Sequence, residues 1–460
     1  MIRTKTINRI CTCMAICLVN ISATSCSDAR ADRASGLTVT AEGTPIDYVR
    51  FGSRASARIF GVETDIPWHI GVTDSDTAWI KVSPHSGNGW NFSADDAINR
   101  ESFFRVEVSS NDADEERSTV LTVEAGGLTR DLTVTQSAAG TEYDVAESPV
   151  MADATPQTVN VYDFLRDNYG KKVISGVVSY GTLDIRNAEY LHDKTGKYPV
   201  INYFDFMHHV HSAPLNPTDW AENYTDMSVP QKWWNDGGIV LFDWHWSVPK
   251  NESVKDSFDD CAFYSENNSF SPSRALLEGT WEHDILIRDL DVISGYLLDL
   301  QSKNVPVLWR PLHEAAGRWF WWGKEGPDTY KDLWKFMFEY FTQKGLRNLI
   351  WVWTGEEPEW YPGDTYVDVL GVDIGVKDHQ SVPEKMDLLR SVTSHKICAI
   401  TECGSIPSIE NMQANGDIWS WITPWVGGSD PDSGDNTLEF YISQYNSEMI
   451  ITRDEVPDLK

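Results

Sequence analysis

The chain of 460 residues carries a formal charge of −31 at pH 7, which works against nucleic acid or any other polyanion as ligand and suits a neutral one. Its length admits two or three domains with at least one large core, and 41% apolar residues are ordinary for a globular protein. The excess is in tryptophan: 20 residues, most of them after position 200, an enrichment that ring-stacking sites and aromatic cores both produce.

Arg3, Lys5 and Arg9 precede a short apolar run from Ile10 to Ala23, too short to span a bilayer comfortably. Ala23-Thr24-Ser25-Cys26 follows. This resembles a relaxed bacterial lipoprotein signal, which implies loss of residues 1–25 and lipid on the Cys26 thiol. A plain secretory signal beside an incidental cysteine is the alternative. An outer-membrane lipoprotein of the cell envelope is expected, on the periplasmic or the surface face, meeting the membrane only through its lipid. Four of the seven cysteines lie in this segment. Cys398 and Cys403 sit on one extended stretch, too far apart for a normal disulfide, so no disulfide framework is expected.

Residues 26–36 are small, polar and charged, as in a tether. From 37 to 137 short runs alternate apolar and polar: Ala57-Arg-Ile-Phe60, Trp79-Ile-Lys-Val82, Phe104-Arg-Val-Glu-Val108, Thr119-Val-Leu-Thr-Val123 and Asp131-Leu-Thr-Val-Thr135. Turn residues separate them, which predicts an antiparallel β-sandwich. Ile66-Pro-Trp68, Trp79 to Gly87, Arg117 and the closing Val134-Thr-Gln136 resemble the BACON-like domain. Trp68, Trp79 and Trp90 are open to two roles, glycan contact or sandwich core.

Residues 138–150 form a linker, and 151–460 alternate strand and helix. Strands are expected at 173–179, 199–205, 239–246, 307–313, 349–354, 367–372, 397–402 and 418–424. Thr155 caps a helix that starts at Pro156. Leu286, Leu290, Ile293, Leu297 and Leu300 mark a second helix, and Leu333, Trp334, Met337, Phe338 and Phe341 a third, stopped by Gly345. Eight strands with helices between them predict a (β/α)8 barrel, so the fold class is multidomain, sandwich followed by barrel. The long polar and aromatic segment 247–279 is expected on the rim, as is 427–436.

One stretch concentrates chemistry: Val307-Leu-Trp-Arg310-Pro-Leu-His313-Glu314-Ala-Ala-Gly317-Arg-Trp319-Phe-Trp-Trp322-Gly323. Pro311 and Gly317 end regular pairing and set His313 and Glu314 at a strand end. Apolar rings beside a carboxyl disfavour its charged form, which suits a general acid near neutral pH. Flat indoles suit the apolar faces of sugars. The plain alternative is a core strand with ordinary aromatic packing.

This stretch resembles the acid/base motif of glycoside hydrolase family 26, the β-mannanase family. The resemblance covers about 155–455 and implies a retaining glycosidase with Glu314 as acid/base and Glu402, in Ile397-Cys-Ala-Ile-Thr-Glu-Cys403, as nucleophile. It implies further that His245, His313, Trp281, Trp319 and Trp425 contact sugar and that Tyr361 steers the nucleophile. For each of these, core packing or a structural role is the competing account. Arg310 shares the site face and is expected to supply positive charge to Glu402, or to be structural. Ala315-Ala316 stand where relatives often carry Met-Asn, and Cys403 where Phe is common, which bears on subsites.

No cofactor and no metal are expected. His208, His209 and His211 lack a partner set with ligand spacing. The resemblance implies an endo-β-1,4-mannanase acting on mannan, galactomannan or glucomannan, and a monomer is expected. The alternatives are the same mechanism on β-1,3-xylan or mixed-linkage β-glucan, an exo-acting mannobiohydrolase, and a surface lipoprotein that binds glycan without cleaving it.

Overall fold

The computed structural model describes residues 36–460 apart from 42–43, 54, 73–75, 90–101, 140–142, 144, 182, 208–223, 258–259, 376–377, 394 and 426–434. The expected signal and Cys26, Trp90, the His208/His209/His211 set and most of the 427–436 rim loop lie outside the described residues.

Two five-stranded sheets form the N-terminal part. Alternation is direct: Phe103–Val108 and Arg117–Ala125 turn every second residue inward. Phe51, Phe60, Trp68, Phe104, Leu121 and Leu132 fill the space between the sheets. One pairing departs from the antiparallel expectation: Leu128–Gln136 runs parallel to Tyr48–Phe51. The chain crosses to the second sheet between Pro45 and Tyr48 and arrives there in the direction of the closing strand. Trp68 is buried, and its indole lies so close to Gly87 that an added Cβ would sit 2.6 Å from the ring. It is a packing residue. Trp79 is half-buried beneath the Arg117 guanidinium, 4.7 Å from the ring centre.

The C-terminal part is a closed barrel of parallel strands: β1 (Val173–Val178), β2 (Ile201–Asp205), β3 (Ile239–Trp244), β4 (Val307–Pro311), β5 (Leu349–Trp353), β6 (Val369–Ile374), β7 (Ile397–Cys403) and β8 (Trp421–Pro424). β1 pairs with both β2 and β8, which closes the cylinder. The strands are nearly continuous apolar runs because side chains point alternately into the barrel and against the helices.

Helix α1 (Pro156–Asn168) starts where expected, with the Thr155 hydroxyl accepting from the Thr158 N–H at 3.3 Å. α2 (Arg186–Thr195) and α3 (Ser228–Asn235) follow β1 and β2. Thr280 caps the long α4 (Trp281–Ser302), whose Leu286, Leu290, Ile293, Leu297 and Leu300 are fully buried. α5 (Pro327–Gln343) buries Leu333, Trp334, Met337 and Phe341, and Gly345 behind it takes φ +87°. α6 (Pro383–Val392), α7 (Ile409–Asn415) and α8 (Leu438–Tyr445) complete the ring.

Among the described residues twelve tryptophans are fully buried. Most of the aromatic excess therefore fills space between strands and helices. Trp319 and Trp425, 44% and 41% exposed, are the open ones among the described residues.

Candidate active site

Glu402 ends β7, where barrel side chains converge on the C-terminal mouth. Arg310 of β4, fully buried, donates from Nη1 to Glu402 Oε1 at 2.6 Å and from Nε to Thr354 Oγ1 at 3.0 Å. Its Nη2 pairs with Asp373 of β6, and Nη1 lies 3.4 Å from Asp243 Oδ2. The Tyr203 hydroxyl of β2 stands 2.7 Å from both Glu402 Oε1 and Asp243 Oδ2 and accepts from Arg310 Nη1 at 2.9 Å. Trp425 Nε1 donates to the other oxygen, Glu402 Oε2, at 2.8 Å. Burial works to raise the Glu402 pKa, but the Arg310 charge and His313 outweigh it and hold the carboxyl below the usual range. Burial first, then Asp243 and Glu402, push the Tyr203 phenol far up, so it remains a donor.

Glu314 comes just after β4, which stops at Pro311 and not at His313. The cause is local: Leu312 and Glu314 take φ +54° and +51°, left-handed conformations in which a ladder cannot continue. Arg318 does the same at +58°. Such strain persists only where surroundings enforce it. Here the Glu314 N–H donates to Thr354 O at 2.6 Å, and Trp322 Nε1 donates to His313 O at 2.8 Å. Trp319 Nε1 donates to Glu314 Oε2 at 3.0 Å. Its ring lies over Gly317, where any Cβ would fall 1.9 Å from it. The expected wall of ring faces is thus an indole edge aimed at the carboxylate. The segment 247–279 is fastened beside it, Ser265 N–H to Trp319 O at 2.7 Å and Trp321 N–H to Phe263 O at 3.0 Å.

A layer of histidines and aspartates lies beneath. Asp205, Asp243 and Arg310 are neighbours in register across β2, β3 and β4. Asp205 accepts from the His245 backbone at 3.1 Å and faces its Nδ1 at 2.6 Å. Burial works against the His245 cation, but Asp205 and then Asp243 raise its pKa from 6.5 to about 9. Its Nε2 lies 3.1 Å from His313 Nε2, and His313 Nδ1 lies 3.2 Å from Asp243 Oδ1. Asp243, His245 and His313 have the donor types of a metal site; of their nitrogens, His245 Nδ1 faces Asp205 and His245 Nε2 faces His313 Nε2.

Of the residues expected from sequence, Glu314, Glu402, His245, His313, Trp319 and Trp425 gather at this mouth. Trp281 does so less directly. It opens α4 and packs edge-on against Phe270, 5.3 Å between centres, so it supports the 247–279 rim. Tyr361 is elsewhere engaged. Its hydroxyl donates to Asp364 at 2.8 Å and its ring meets Trp353, because the Pro358–Trp360 turn carries it away from β7. The phenol that reaches Glu402 belongs to Tyr203. Tyr203, Asp205, Asp243, Glu356 and Asp373 were not singled out. For Asp205, Asp243 and Asp373 the signal is a carboxylate at the C-terminal end of an otherwise apolar strand, in β2, β3 and β6.

A closed (β/α)8 barrel with glutamates beyond β4 and at the end of β7, each accepting from the indole N–H of an exposed tryptophan, is the frame of a glycoside hydrolase. The chain belongs to glycosyl hydrolase family 26, whose model matches residues 150–455. Residues 68–137 match the BACON model, described as a putative N-terminal binding domain. The chain is 32% identical over 333 residues to a mannan endo-1,4-beta-mannosidase of Thermothelomyces thermophilus, covering 72% of this chain and 67% of that one. It is 32% identical over 315 residues to mannan endo-1,4-beta-mannosidase A of Piromyces, covering 66% of this chain and about half of the relative, 50%. Among solved structures, the family 26 domain of an endo-beta-mannanase/endo-beta-glucanase from Prevotella bryantii matches with TM-score 0.60 and 33% identity, over 68% of this chain and 100% of that one. A beta-mannanase from a symbiotic protist of the termite Reticulitermes speratus, solved with a gluco-manno-oligosaccharide, matches with TM-score 0.60 and 34% identity, over 68% and 98%.

Proposed function

We propose that this protein is a retaining endo-β-1,4-mannanase in which Glu402 is the nucleophile and Glu314 the acid/base. The observation that carries it is the unequal treatment of the two carboxyls. Glu402 is held as an anion by Arg310, with Tyr203 and Trp425 on its oxygens. Glu314 has one indole N–H and partial access to solvent. In the first step Glu402 attacks the anomeric carbon while Glu314 gives its proton to the departing glycosidic oxygen. A glycosyl–Glu402 ester results. Glu314 then takes a proton from water, the water oxygen displaces Glu402, and the sugar leaves with its original configuration. The named activity of the relatives directs the choice of mannan, and the exposed faces of Trp319 and Trp425 suit a neutral sugar chain.

The test is turnover of linear mannan, galactomannan, glucomannan, β-1,3-xylan and lichenan by the intact chain and by E314Q and E402Q. Mannan cleaved into a range of oligomers, with both variants folded and nearly inactive, is expected. Preference for another glycan, or disaccharide as sole product, moves the substrate; full activity in either variant ends the assignment. Cys26 as a lipid anchor in the outer membrane is proposed on the sequence signal, and C26A is expected to release the protein to the soluble fraction.

A further inference from the structure

Glu356 follows β5, three residues beyond its last strand residue, and sits half-buried with φ +70°. A glutamate pays for that left-handed conformation, and nothing in the turn requires one there. The strand that carries it is tied to the acid/base by the Glu314 N–H···O=C Thr354 bond of 2.6 Å. One carboxyl oxygen each from Glu314, Glu356 and Asp373 lies within 4.8 Å of the others. Asp373 is paired with Arg310 and takes the Thr401 hydroxyl at 2.7 Å, yet burial, with Glu402, Glu314 and Glu356 nearby, still raises its pKa well above the usual carboxylate range. Among the described residues Glu356 makes no side-chain hydrogen bond or ion pair, and the charge that acts on it most strongly is Glu314.

We propose that Glu356 is a positioning residue for the proton: its carboxyl, beside that of Glu314, disfavours a second negative charge there and so keeps the acid loaded to higher pH. This rests on Glu314 being the acid/base. Carboxyl oxygens within 4.8 Å of each other repel when both groups are anionic. When Glu314 passes its proton to the glycosidic oxygen, both groups are left anionic. Their repulsion then favours taking a proton back from water in the second step, which restores the starting state. The charged groups around Glu356 are Glu314 and Arg310 from β4 and its extension, Asp373 from β6, Lys385 from α6 and the adjacent Glu357; Glu402 of β7 acts on Asp373 behind them. Burial and then Glu314 dominate, and the Glu356 pKa is raised to about 7.

The experiment is kcat/KM against pH for the intact chain, E356Q, E356N and E356D, with E314Q as the control for the underlying assignment. E356N tolerates the left-handed backbone and covers the case in which E356Q folds poorly. The alkaline limb is expected to move down by about one to two pH units in E356Q and E356N and to stay in E356D, with the acid limb fixed. A substrate with a leaving group that needs no protonation should show no such shift in its first step. Neutral variants whose alkaline limb superimposes on the parent, or moves up, overturn the proposal while E314Q remains inactive. An active E314Q overturns the acid/base assignment itself.

Discussion

Arg310 Nη1 reaches Glu402 Oε1 at 2.6 Å from a fully buried guanidinium that also holds Thr354, Tyr203 and Asp373. One side chain thus fixes the charge and the orientation of Glu402, the proposed nucleophile. R310K keeps a charge but cannot span these partners with a fork. It is expected to lose about 10²–10³-fold in kcat/KM and to shift the acid limb of the pH profile upward, because the direct hydrogen bond that holds Glu402 as an anion is lost. Activity within a few-fold of the parent would mean that Arg310 is structural only. R310M should also lower stability by about 3–5 kcal/mol in denaturant unfolding, since buried carboxylates are left unpaired.

The two tyrosines separate cleanly. Y203F removes a hydroxyl that faces Glu402 and Asp243, each at 2.7 Å. A drop of about 10²-fold in kcat is expected. Y361F removes only the bond to Asp364 and should leave turnover within about twofold. Equal losses in both variants would return Tyr361 to the site.

Gly317 makes room for Trp319. A methyl there would collide with the indole and push it off Glu314. G317A is expected to raise KM and lower kcat together, with a loss of about tenfold or more in kcat/KM, while W319F loses the hydrogen bond and keeps an aromatic ring. A G317A enzyme with unchanged kinetics would show that Trp319 adapts freely.

His245 links stability to pH. Its pKa is raised from 6.5 to about 9 in the folded chain, so the folded state binds that proton more tightly. The contribution is complete below pH ~6.5 and disappears as pH rises through about 9; it is on the order of 3 kcal/mol. Denaturant unfolding at pH 6 and 9.5 should show H245N losing less stability than the parent over that interval. Parallel slopes in the two proteins would count against a charged His245.

The barrel could be read from composition along the chain. Apolar runs of strand length, the Thr155-Pro156 start and the leucine spacing of α4 are local properties, and the ladder follows from them. Glu402 was legible at the end of an apolar strand and Glu314 just beyond one, their roles being what the resemblance to family 26 implies. Tyr361 was misplaced because proximity in sequence to β5 says nothing about where a Pro-Gly turn sends a side chain. Tyr203 lies 199 residues before Glu402, and only closure of the cylinder makes them neighbours.

Sequence by itself determined the order of strands and helices, the sandwich before the barrel, and the strand ends at which charge is placed, since these depend on periodicity and burial within short windows. Tertiary structure alone decided which charges meet. Arg310 joins residues of β2, β6 and β7, and Glu356 comes to Glu314, because ring closure brings distant strand ends around one mouth, where low dielectric makes each pairing count.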